Sequence, residues 1–312
     1  MRQLLAFTMI AAVGATVYSE ENQIVTANAK LEKLWGDGSF TEGPAYGPDR
    51  CIYFTDIGNR IMRFDPRTGK TNVFREPSGR ANGLDFDVQG RLVACEGSNT
   101  GGNRRVTRTD ANGKVHVLSD NWNGKRLNSP NDLTIARDGT IYFSDPRYVG
   151  SEPREIDREN VYRISPTGNT EAFLTNLAKP NGVVLSPNMK TLYVANSDPG
   201  KGQQLWAYPI GADGKPGMRN LLHDFGKRRG IDGMCCDADG NVYGAAGSGD
   251  DGGVYVFSPA GRKLAFIPVP ESPTNCVFGG KDRNVLYVTA GKSLYRIQLQ
   301  VRGFAVYWPT ED

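Results

Sequence analysis

The sequence predicts an all-β protein, a six-bladed β-propeller of four-stranded antiparallel blades. Three observations lead to this prediction: one strand pattern recurs six times, turn residues separate the strands, and no segment has the pattern of a long amphipathic helix. The 312 residues include 38 glycines and 18 prolines beside many aromatic and β-branched residues. Such a composition is typical of many short strands joined by turns.

The repeated pattern is a short apolar strand whose second residue serves as a reference position. The reference residues are Tyr53, Val93, Tyr142, Tyr193, Tyr243 and Tyr287, and the spacings between them are 40, 49, 51, 50 and 44 residues. A period of this length matches a four-stranded propeller blade, and it is too long for a β-helix coil or a leucine-rich repeat.

Each repeat predicts the same order of elements. A first strand, a tight turn such as Pro48-Asp49-Arg50 and the reference strand are followed by two further strands separated by Pro, Gly and Asn/Asp turns. The sixth repeat lacks an obvious fourth strand, and residues 30–35 before the first repeat have that pattern. We expect this N-terminal strand to complete the last blade and close the ring, which removes the open sheet edge. Residues 304–308 are the alternative for that role.

The first 19 residues resemble a secretory signal peptide. One positive charge at Arg2 precedes an apolar run from Leu4 to Val17 with small residues near its end. The run is shorter than the ~20 apolar residues of a spanning helix. We therefore expect a periplasmic or secreted protein with one propeller over residues 30–312 and no membrane contact after export. An ordinary N-terminal helix is the alternative interpretation.

Charge and cysteine content narrow the function classes. The net charge is +3, and the Lys and Arg residues are scattered rather than arranged in the basic stripe of a nucleic-acid-binding protein. The run Lys227-Arg228-Arg229 is interpreted as a solvated loop. The five cysteines (Cys51, Cys95, Cys235, Cys236 and Cys276) lie in apolar segments without CxxC spacing. They are interpreted as buried free thiols, with an oxidised pair as the alternative. The sequence does not predict the oligomeric state.

Every predicted blade starts with a polar residue in the same register, 11 or 12 positions before the reference residue. The six are Glu42, Asn82, Asn131, Asn181, Asp232 and Asn275. First strands line the channel of a propeller, so ring symmetry should bring these side chains to one mouth of the channel. The alternative for any single position is a turn cap at the start of a strand.

Two carboxylates and several amides at one channel mouth indicate a bound cation. Buried like charges repel each other unless a cation lies between them. Oxygen-only donors with two negative charges suit a hard divalent ion, Ca²⁺ foremost, with Mg²⁺, Mn²⁺ or Zn²⁺ as alternatives. Long connections between the second and third strands are predicted for blades two to five, and they should wall a pocket over this cation.

The chain resembles the gluconolactonase/regucalcin family of six-bladed propellers over about residues 30–300. The resemblance is carried by Thr41-Glu42-Gly43-Pro44, Ser129-Pro130-Asn131-Asp132, Lys179-Pro180-Asn181-Gly182 and Ile231-Asp232-Gly233-Met234. Residues 104–109 are similar to bacterial gluconolactonases, whereas Ser129 stands where regucalcin itself has an arginine. The resemblance implies one divalent cation held by Glu42, Asn131, Asn181 and Asp232.

The resemblance also implies a metal-dependent hydrolase that opens a sugar lactone to its aldonic acid. Asp232 would be the catalytic residue, as a general base or alternatively as a nucleophile. Candidate substrate-binding residues are Asn82, Glu96, Asp145 and Asn275. For Glu96 and Asp145 a structural hydrogen bond to a loop is the alternative, and for Asn82 and Asn275 the alternative is to fill the channel. Arg105 is open between a substrate contact and a structural ion pair. Two other functions stay open: a phosphotriesterase of the diisopropylfluorophosphatase type and a non-catalytic calcium-binding propeller.

Overall fold

The computed structural model describes residues 24–26, 28–97, 101–150 and 152–309. The predicted signal peptide, residues 1–19, lies outside these residues. Within them, none of the helical segments has the length and apolar content needed to cross a bilayer. The regular secondary structure of the described residues consists of strands joined by turns and loops, with a 3₁₀ turn at Gly249–Asp251.

Twenty-four strands form six antiparallel sheets of four, and each sheet is one blade. Blades one and two contain β2 (Thr41–Tyr46), β3 (Ile52–Asp56), β4 (Arg60–Asp65), β5 (Lys70–Arg75), β6 (Ala81–Phe86), β7 (Leu92–Glu96), β8 (Arg105–Thr109) and β9 (Val115–Ser119). Blades three and four contain β12 (Leu133–Ile135), β13 (Ile141–Asp145), β14 (Asn160–Ile164), β15 (Thr170–Leu174), β16 (Pro180–Leu185), β17 (Thr191–Asp198), β18 (Gly202–Pro209) and β19 (Asn220–Asp224). Blades five and six contain β20 (Ile231–Cys236), β21 (Val242–Ala246), β22 (Gly253–Phe257), β23 (Lys263–Pro268), β24 (Pro273–Gly279), β25 (Val285–Ala290), β26 (Ser293–Gln298) and β1 (Glu32–Trp35). A small hairpin, β10 (Asn121–Trp122) and β11 (Lys125–Arg126), lies between blades two and three.

The first strands of the six blades surround one axis. Each touches the first strand of the blade before and the blade after it, in the closed order β2, β6, β12, β16, β20, β24 and back to β2. The predicted six-bladed propeller is therefore confirmed.

The N-terminal strand closes the ring, as expected. Strand β1 pairs antiparallel with β26, with Glu32 opposite Arg296 and Lys33 opposite Tyr295. The alternative segment, residues 304–308, does not join this sheet. It follows an isolated bridge between Gly303 and Asp237 and lies at the other end of the channel, where the Phe304 N–H donates to the Cys236 carbonyl oxygen at the end of β20, at 3.0 Å.

The hydrophobic core lies between the blades. Six clusters of buried side chains each join two neighbouring blades, because successive residues of a strand point to opposite faces of its sheet. In β3, Ile52 and Phe54 pack toward blade six, while Tyr53 packs toward blade two. The alternating apolar residues of the second strands thus hold every blade to both of its neighbours.

Blade four and the cysteines bear on two predictions made from the sequence. The long connection predicted for blade four is wrong: β17 and β18 each run for eight residues and stay paired to Asp198 and Gly202, so residues 199–201 suffice for the turn. All five cysteines are buried and free. The Sγ atoms of Cys235 and Cys276 lie 3.5 Å apart between blades five and six.

Candidate active site

A break in strand pairing places the polar residues at the channel mouth. In five of the six first strands the pairing register shifts beside the polar residue, for example between Glu42 and Ala45 and between Ile231 and Met234. At such a β-bulge a residue is left out of the strand pairing, and its side chain points in a different direction from that in a regular strand. In blade three the strand β12 starts only after Asn131 and Asp132. The polar residues consequently lie at or next to a break in regular pairing, with Glu42 and Asn275 as the last paired residues on their side of it.

Glycines allow neighbouring blades to approach closely at this level. A Cβ atom on Gly182 would lie 2.4 Å from the Asp232 carbonyl oxygen, and a Cβ on Gly83 would lie 2.7 Å from the Asn131 carbonyl oxygen. Any larger residue would therefore push the next blade outward. The recurring polar-glycine dipeptide therefore has two parts. The polar residue supplies a side chain at the channel mouth, and the glycine leaves space for the first strand of the next blade.

The structure brings five of the six predicted positions to one cavity of about 640 Å³. Its lining includes Glu42, Asn82, Asn131, Asn181 and Asp232. The sixth residue, Asn275, is buried one blade further round, where its side chain fills the space beside Gly233 and its Oδ1 accepts the Cys276 N–H at 2.8 Å. Asn275 therefore packs the channel next to the site and does not line the cavity as described.

Both carboxylate oxygens of Asp232 have hydrogen-bond donors. The Asn181 Nδ2 donates to Oδ1 at 2.6 Å, and the Arg229 Nη2 donates to Oδ2 in a short ion pair. Burial raises the pKa of Asp232, while Arg229 and the Asn181 amide lower it, and the net direction is upward. The two donors counteract part of the cost of burying this charge.

Arg229 is a site residue that the sequence interpretation missed. It was assigned to a solvated loop with Lys227 and Arg228, and this assignment is wrong for Arg229. Its Nη1 donates to the carbonyl oxygens of Gly247 at 3.0 Å and Pro273 at 2.8 Å, so the guanidinium is fixed beside Asp232. The signal was its position three residues before a strand-opening carboxylate.

Glu42 is the second carboxylate of the cavity, and its side chain is almost fully enclosed, with 4% of the residue exposed. Its Oε2 accepts the Gly43 N–H at 2.9 Å. Burial, and next the negative charge of Asp232, hold the pKa of the Glu42 carboxyl well above its usual range. Among the described residues no Lys or Arg lies within ion-pair distance of Glu42, in contrast to Asp232.

This set of donors fits a hard divalent cation. A buried carboxylate without a direct counter-charge is costly, and a cation shared with Asp232 would remove both the burial penalty and the mutual repulsion. Because Asn181 uses its Nδ2 toward Asp232, its amide oxygen keeps its capacity as a ligand. The described residues contain no cluster of three or more His, Cys, Asp or Glu side chains suited to a metal ion, so the two carboxylates would hold a cation only together with amide oxygens such as those of Asn131 and Asn181.

Glu96 does not line the cavity. The structure therefore corrects the prediction that Glu96 contacts substrate. Its carboxylate is buried and receives hydrogen bonds from Arg75 at 3.0 Å, Arg105 at 2.7 Å and the Thr107 hydroxyl at 2.9 Å. A fourth donor is the Asn103 Nδ2 at 2.6 Å, so the carboxylate links β5, β7, β8 and the loop before β8 in the first two blades. Arg105 is correspondingly a structural ion-pair partner.

Asp145 is likewise a structural residue and not a cavity residue. Its two oxygens accept the backbone N–H groups of Asn128 at 2.8 Å and Ser129 at 2.6 Å. The residues at the same position in blades one and four, Asp56 and Asn196, accept backbone N–H groups from the segment before their own first strand in the same way. The end of each of these second strands therefore clamps the loop that leads to the channel mouth.

Three further residues of the cavity were not singled out from the sequence: Arg80, Lys179 and Tyr148. The Lys179 Nζ donates to the Arg147 carbonyl oxygen at 3.1 Å and lies 4.9 Å from the centre of the Tyr148 ring. Lys179 directly precedes the Pro180-Asn181-Gly182 motif, which is the signal that could have revealed it. Tyr148 lies in a loop without repeat symmetry, and no sequence pattern marks it.

Comparison with known proteins places the whole propeller in one family. The profile of the SMP-30/gluconolactonase/LRE-like region matches residues 40–292. A gluconolactonase of Zymomonas mobilis is 32% identical over 310 aligned residues, which cover 90% of this chain and 84% of that protein. A 6-deoxy-6-sulfogluconolactonase of Pseudomonas putida is 26% identical and covers 78% of this chain and 80% of its own length.

The fold is shared with a solved relative. The structure of a gluconolactonase from Xanthomonas campestris superposes with a TM-score of 0.78 at 33% identity, and the match covers 87% of this chain and 90% of that one.

Proposed function

The chain belongs to the SMP-30/gluconolactonase/LRE-like family, and on that basis we propose that it is a lactonase acting on sugar lactones. The sugar-lactone hydrolases among its relatives support a carboxylic ester hydrolase. The observation that carries the proposal is a pair of carboxylates, the buried Glu42 and the partly buried Asp232, in the lining of one cavity of about 640 Å³.

The reaction adds one water molecule to the ring ester. The water oxygen bonds to the carbonyl carbon, the bond from that carbon to the ring oxygen breaks, and the ring oxygen takes a proton to become a hydroxyl. The product is an open hydroxy acid, which loses its proton at neutral pH. No oxidant, reductant or second substrate is required.

We further propose that Glu42, Asn131, Asn181 and Asp232 hold a divalent cation, Ca²⁺ before Mg²⁺, Mn²⁺ or Zn²⁺. Carboxylate and amide oxygens are the ligands that calcium prefers. A cation bound there would supply positive charge to the carbonyl oxygen of the lactone.

Asp232 is proposed as the general base. The hydrogen bonds from Arg229 and Asn181 hold the carboxylate in one orientation, and each oxygen keeps a lone pair that can accept a proton from water. The proton then passes to the ring oxygen as it leaves. Asn82 lines the same cavity and is proposed to hydrogen-bond a substrate hydroxyl. The alternative role of Asp232, direct nucleophilic attack, would leave an acyl-enzyme that mass spectrometry of the denatured protein can detect.

The test is a lactone panel on Asp232→Asn and Asp232→Ala, each with restored Ca²⁺. We expect both variants to lose at least a hundredfold in kcat against glucono-1,5-lactone, since general bases contribute ~10²–10⁴ in rate. Full activity of either variant would overturn the role of Asp232. A wild-type protein that binds Ca²⁺ but opens no lactone would support the calcium-binding propeller, and turnover of a phosphotriester alone would support the phosphotriesterase.

We also propose that the enzyme works after export, on the basis of its N-terminal sequence. The mature protein should then begin near residue 20 in the periplasmic or culture fraction, which N-terminal sequencing measures. An intact Met1 in that fraction would contradict a cleaved signal peptide.

A further inference from the structure

The cavity has a polar inner end and an apolar outer wall. Glu42 and Asn181 are buried, whereas Phe40, Tyr148 and Val149 line the same cavity with 43%, 45% and 58% of their surfaces exposed. This difference in exposure places Glu42 deep and Phe40 and Val149 near the opening. Tyr148 lies between them, because burial and next the negative charge of Asp232 raise the pKa of its hydroxyl.

The apolar wall comes from separate parts of the ring. Phe40 and Ile57 flank blade one, and Tyr148 and Val149 belong to the long loop of blade three. Pro199, in the short turn of blade four, adds to the same wall. A molecule that enters the cavity therefore meets apolar surface from three blades.

Single exposed apolar residues are common on proteins, but their convergence on a cavity indicates a ligand. Several other large exposed apolar residues among the described ones lie on outer strands, such as Val73 and Phe74 on β5, Val117 on β9 and Leu221 on β19. None of these side chains lines the cavity that holds Glu42 and Asp232. The apolar wall thus differs from ordinary surface exposure.

The two aromatic residues of the wall are held in place. The Phe40 N–H donates to Asp56 Oδ1 at 3.1 Å, and the Phe40 carbonyl oxygen accepts the Ile57 N–H at 2.9 Å. On the other side, the Lys179 ammonium lies over the Tyr148 ring at 4.9 Å, while the Lys179 N–H donates to Asn196 Oδ1 at 3.0 Å. Preorganised aromatic surface binds apolar groups at little cost in conformational entropy.

A compact sugar lactone would leave this wall unused. Its hydroxyl groups need hydrogen-bond partners, and Phe40, Ile57, Val149 and Pro199 have no side chain that offers one. We propose that the cavity also accepts lactones with an alkyl or aryl substituent, with the ring ester at the carboxylate end and the substituent against Phe40 and Tyr148. This inference rests on the proposed lactonase function and extends it to a second substrate class. The chemistry is the same addition of water across the ring ester.

A homologous series of γ-lactones tests the proposal on the wild-type protein. We expect kcat/KM to rise two- to fourfold for each methylene added from γ-butyrolactone to γ-decalactone, since each buried methylene contributes up to ~0.8 kcal/mol. Glucono-1,5-lactone is assayed in parallel as the test of the proposed function itself.

Variants of the wall then locate the effect. Tyr148→Ala and Phe40→Ala should each lower the ratio of kcat/KM for γ-decalactone over γ-butyrolactone by about tenfold, the worth of the buried ring surface. Tyr148→Phe keeps the ring and should retain the wild-type ratio. The matched pair Val149→Ala and Val117→Ala makes the same chemical change in the wall and on an outer strand, and only the former should lower the ratio.

The outcomes separate the two proposals. If glucono-1,5-lactone is opened but kcat/KM does not rise along the series, this inference is wrong and the lactonase function stands. An increase along the series that Tyr148→Ala and Phe40→Ala leave intact also overturns the assignment of the wall. If neither class of lactone is opened, the proposed function fails and this inference fails with it.

Discussion

The two buried glutamates of the first two blades have opposite environments. Glu96 is 2% exposed and is paired with Arg75 and Arg105, whereas Glu42 is 4% exposed and meets the negative charge of Asp232. The same residue type thus contributes to stability in one place and is a proposed cation ligand in the other. Replacing the glutamate by glutamine should therefore change the free energy of unfolding in opposite directions at the two sites.

Glu42→Gln should stabilise the protein without metal and abolish its response to metal. The change replaces a buried carboxyl whose ionisation is disfavoured by burial and next by the negative charge of Asp232, which hold its pKa above the usual range, so the free energy of unfolding should rise. The stabilisation that Ca²⁺ gives the wild-type protein should disappear, because a ligand stabilises only the state that binds it. Thermal unfolding with and without Ca²⁺ after treatment with a chelator measures both effects.

Glu96→Gln is the control, and we expect it to lower the free energy of unfolding rather than raise it. It leaves Arg75 and Arg105 without their shared carboxylate, so we expect a loss of about 2–3 kcal/mol while the Ca²⁺ response persists. A Glu42→Gln protein that is less stable without metal than wild type, or that still responds to Ca²⁺, would contradict the proposed cation site.

At the scale of the strand, the polar-glycine dipeptide is the feature that builds the channel mouth. Gly182→Ala should reduce both stability and activity, because the new Cβ would lie 2.4 Å from the Asp232 carbonyl oxygen and displace that residue. We expect a loss of about 2 kcal/mol in the free energy of unfolding and at least a tenfold lower kcat. Urea denaturation and steady-state kinetics provide the measurements.

Gly217→Ala is the matched control for this change. Its nearest atom would be the Pro209 carbonyl oxygen at an ordinary 3.5 Å, and the site lies away from the channel mouth. Stability and kcat should stay within the error of wild type. Equal effects of the two substitutions would show that close packing of the first strands does not position Asp232.

Repetition explains how far these elements could be predicted from the sequence. The register of Glu42, Asn82, Asn131, Asn181 and Asp232 repeats with the blades, so their convergence on one cavity followed from counting. Tyr148 and Val149 lie in a loop that no other blade repeats, and their place depends on tertiary contacts. Glu96 and Asp145 were placed at the correct end of their strands, but which groups their oxygens would contact is a matter of packing.

The stability of the protein in acid should depend on Glu271, which binds Lys33 of the closing strand β1. Burial would raise the pKa of Glu271, but hydrogen bonds from the Ser293 hydroxyl, the Lys292 N–H, the Tyr295 hydroxyl and Lys33 lower it to about 2. A carboxyl with a lowered pKa stabilises the folded state above its unfolded pKa of 4.5 and loses this contribution as the pH falls toward 2. Glu271→Gln should cost about 2 kcal/mol at neutral pH and flatten the stability curve between pH 4.5 and 2.

Glu32→Gln on β1 is the comparison, since Glu271 lies between β23 and β24 and, among the described residues, reaches β1 only through Lys33. Its carboxylate is 57% exposed and meets only Arg296 among the contacts of the described residues. Surface pairs of this kind contribute ~0–1 kcal/mol, so a small and weakly pH-dependent change is expected. The free energy of unfolding is measured as a function of pH for both variants. If the two curves are identical, Glu271 does not anchor β1.

For the molecule as a whole, the ring depends on two closures at opposite ends of the chain. Strand β1 joins blade six at its edge, and the segment from Arg302 to Trp308 crosses the end of the channel opposite the cavity. The Ala238 N–H donates to the Arg302 carbonyl oxygen, and the Gly303 N–H donates to the Arg283 carbonyl oxygen. Arg137 of blade three lies 5.2 Å from the centre of the Phe304 ring. The sequence predicted the first closure, whereas the second has no repeat to indicate it.

Trp308 is the residue through which this C-terminal segment holds blades one and six together. Its ring lies 5.5 Å from that of Tyr46 and 4.8 Å from the guanidinium of Arg283, and it packs against the clusters on both sides of blade six. Trp308→Ala should cost about 2–3 kcal/mol and lower Tm by about 5–10 °C, since the ring is half-buried and large aromatic truncations in a full core cost ~3–5 kcal/mol. Trp308→Phe keeps an aromatic ring and should lose less than half as much. The cavity is at the other end of the channel, so kcat at 25 °C should stay the same in both variants while calorimetry records the lower Tm. A wild-type Tm for Trp308→Ala would show that the six blades need only the β1 closure to unfold as one unit.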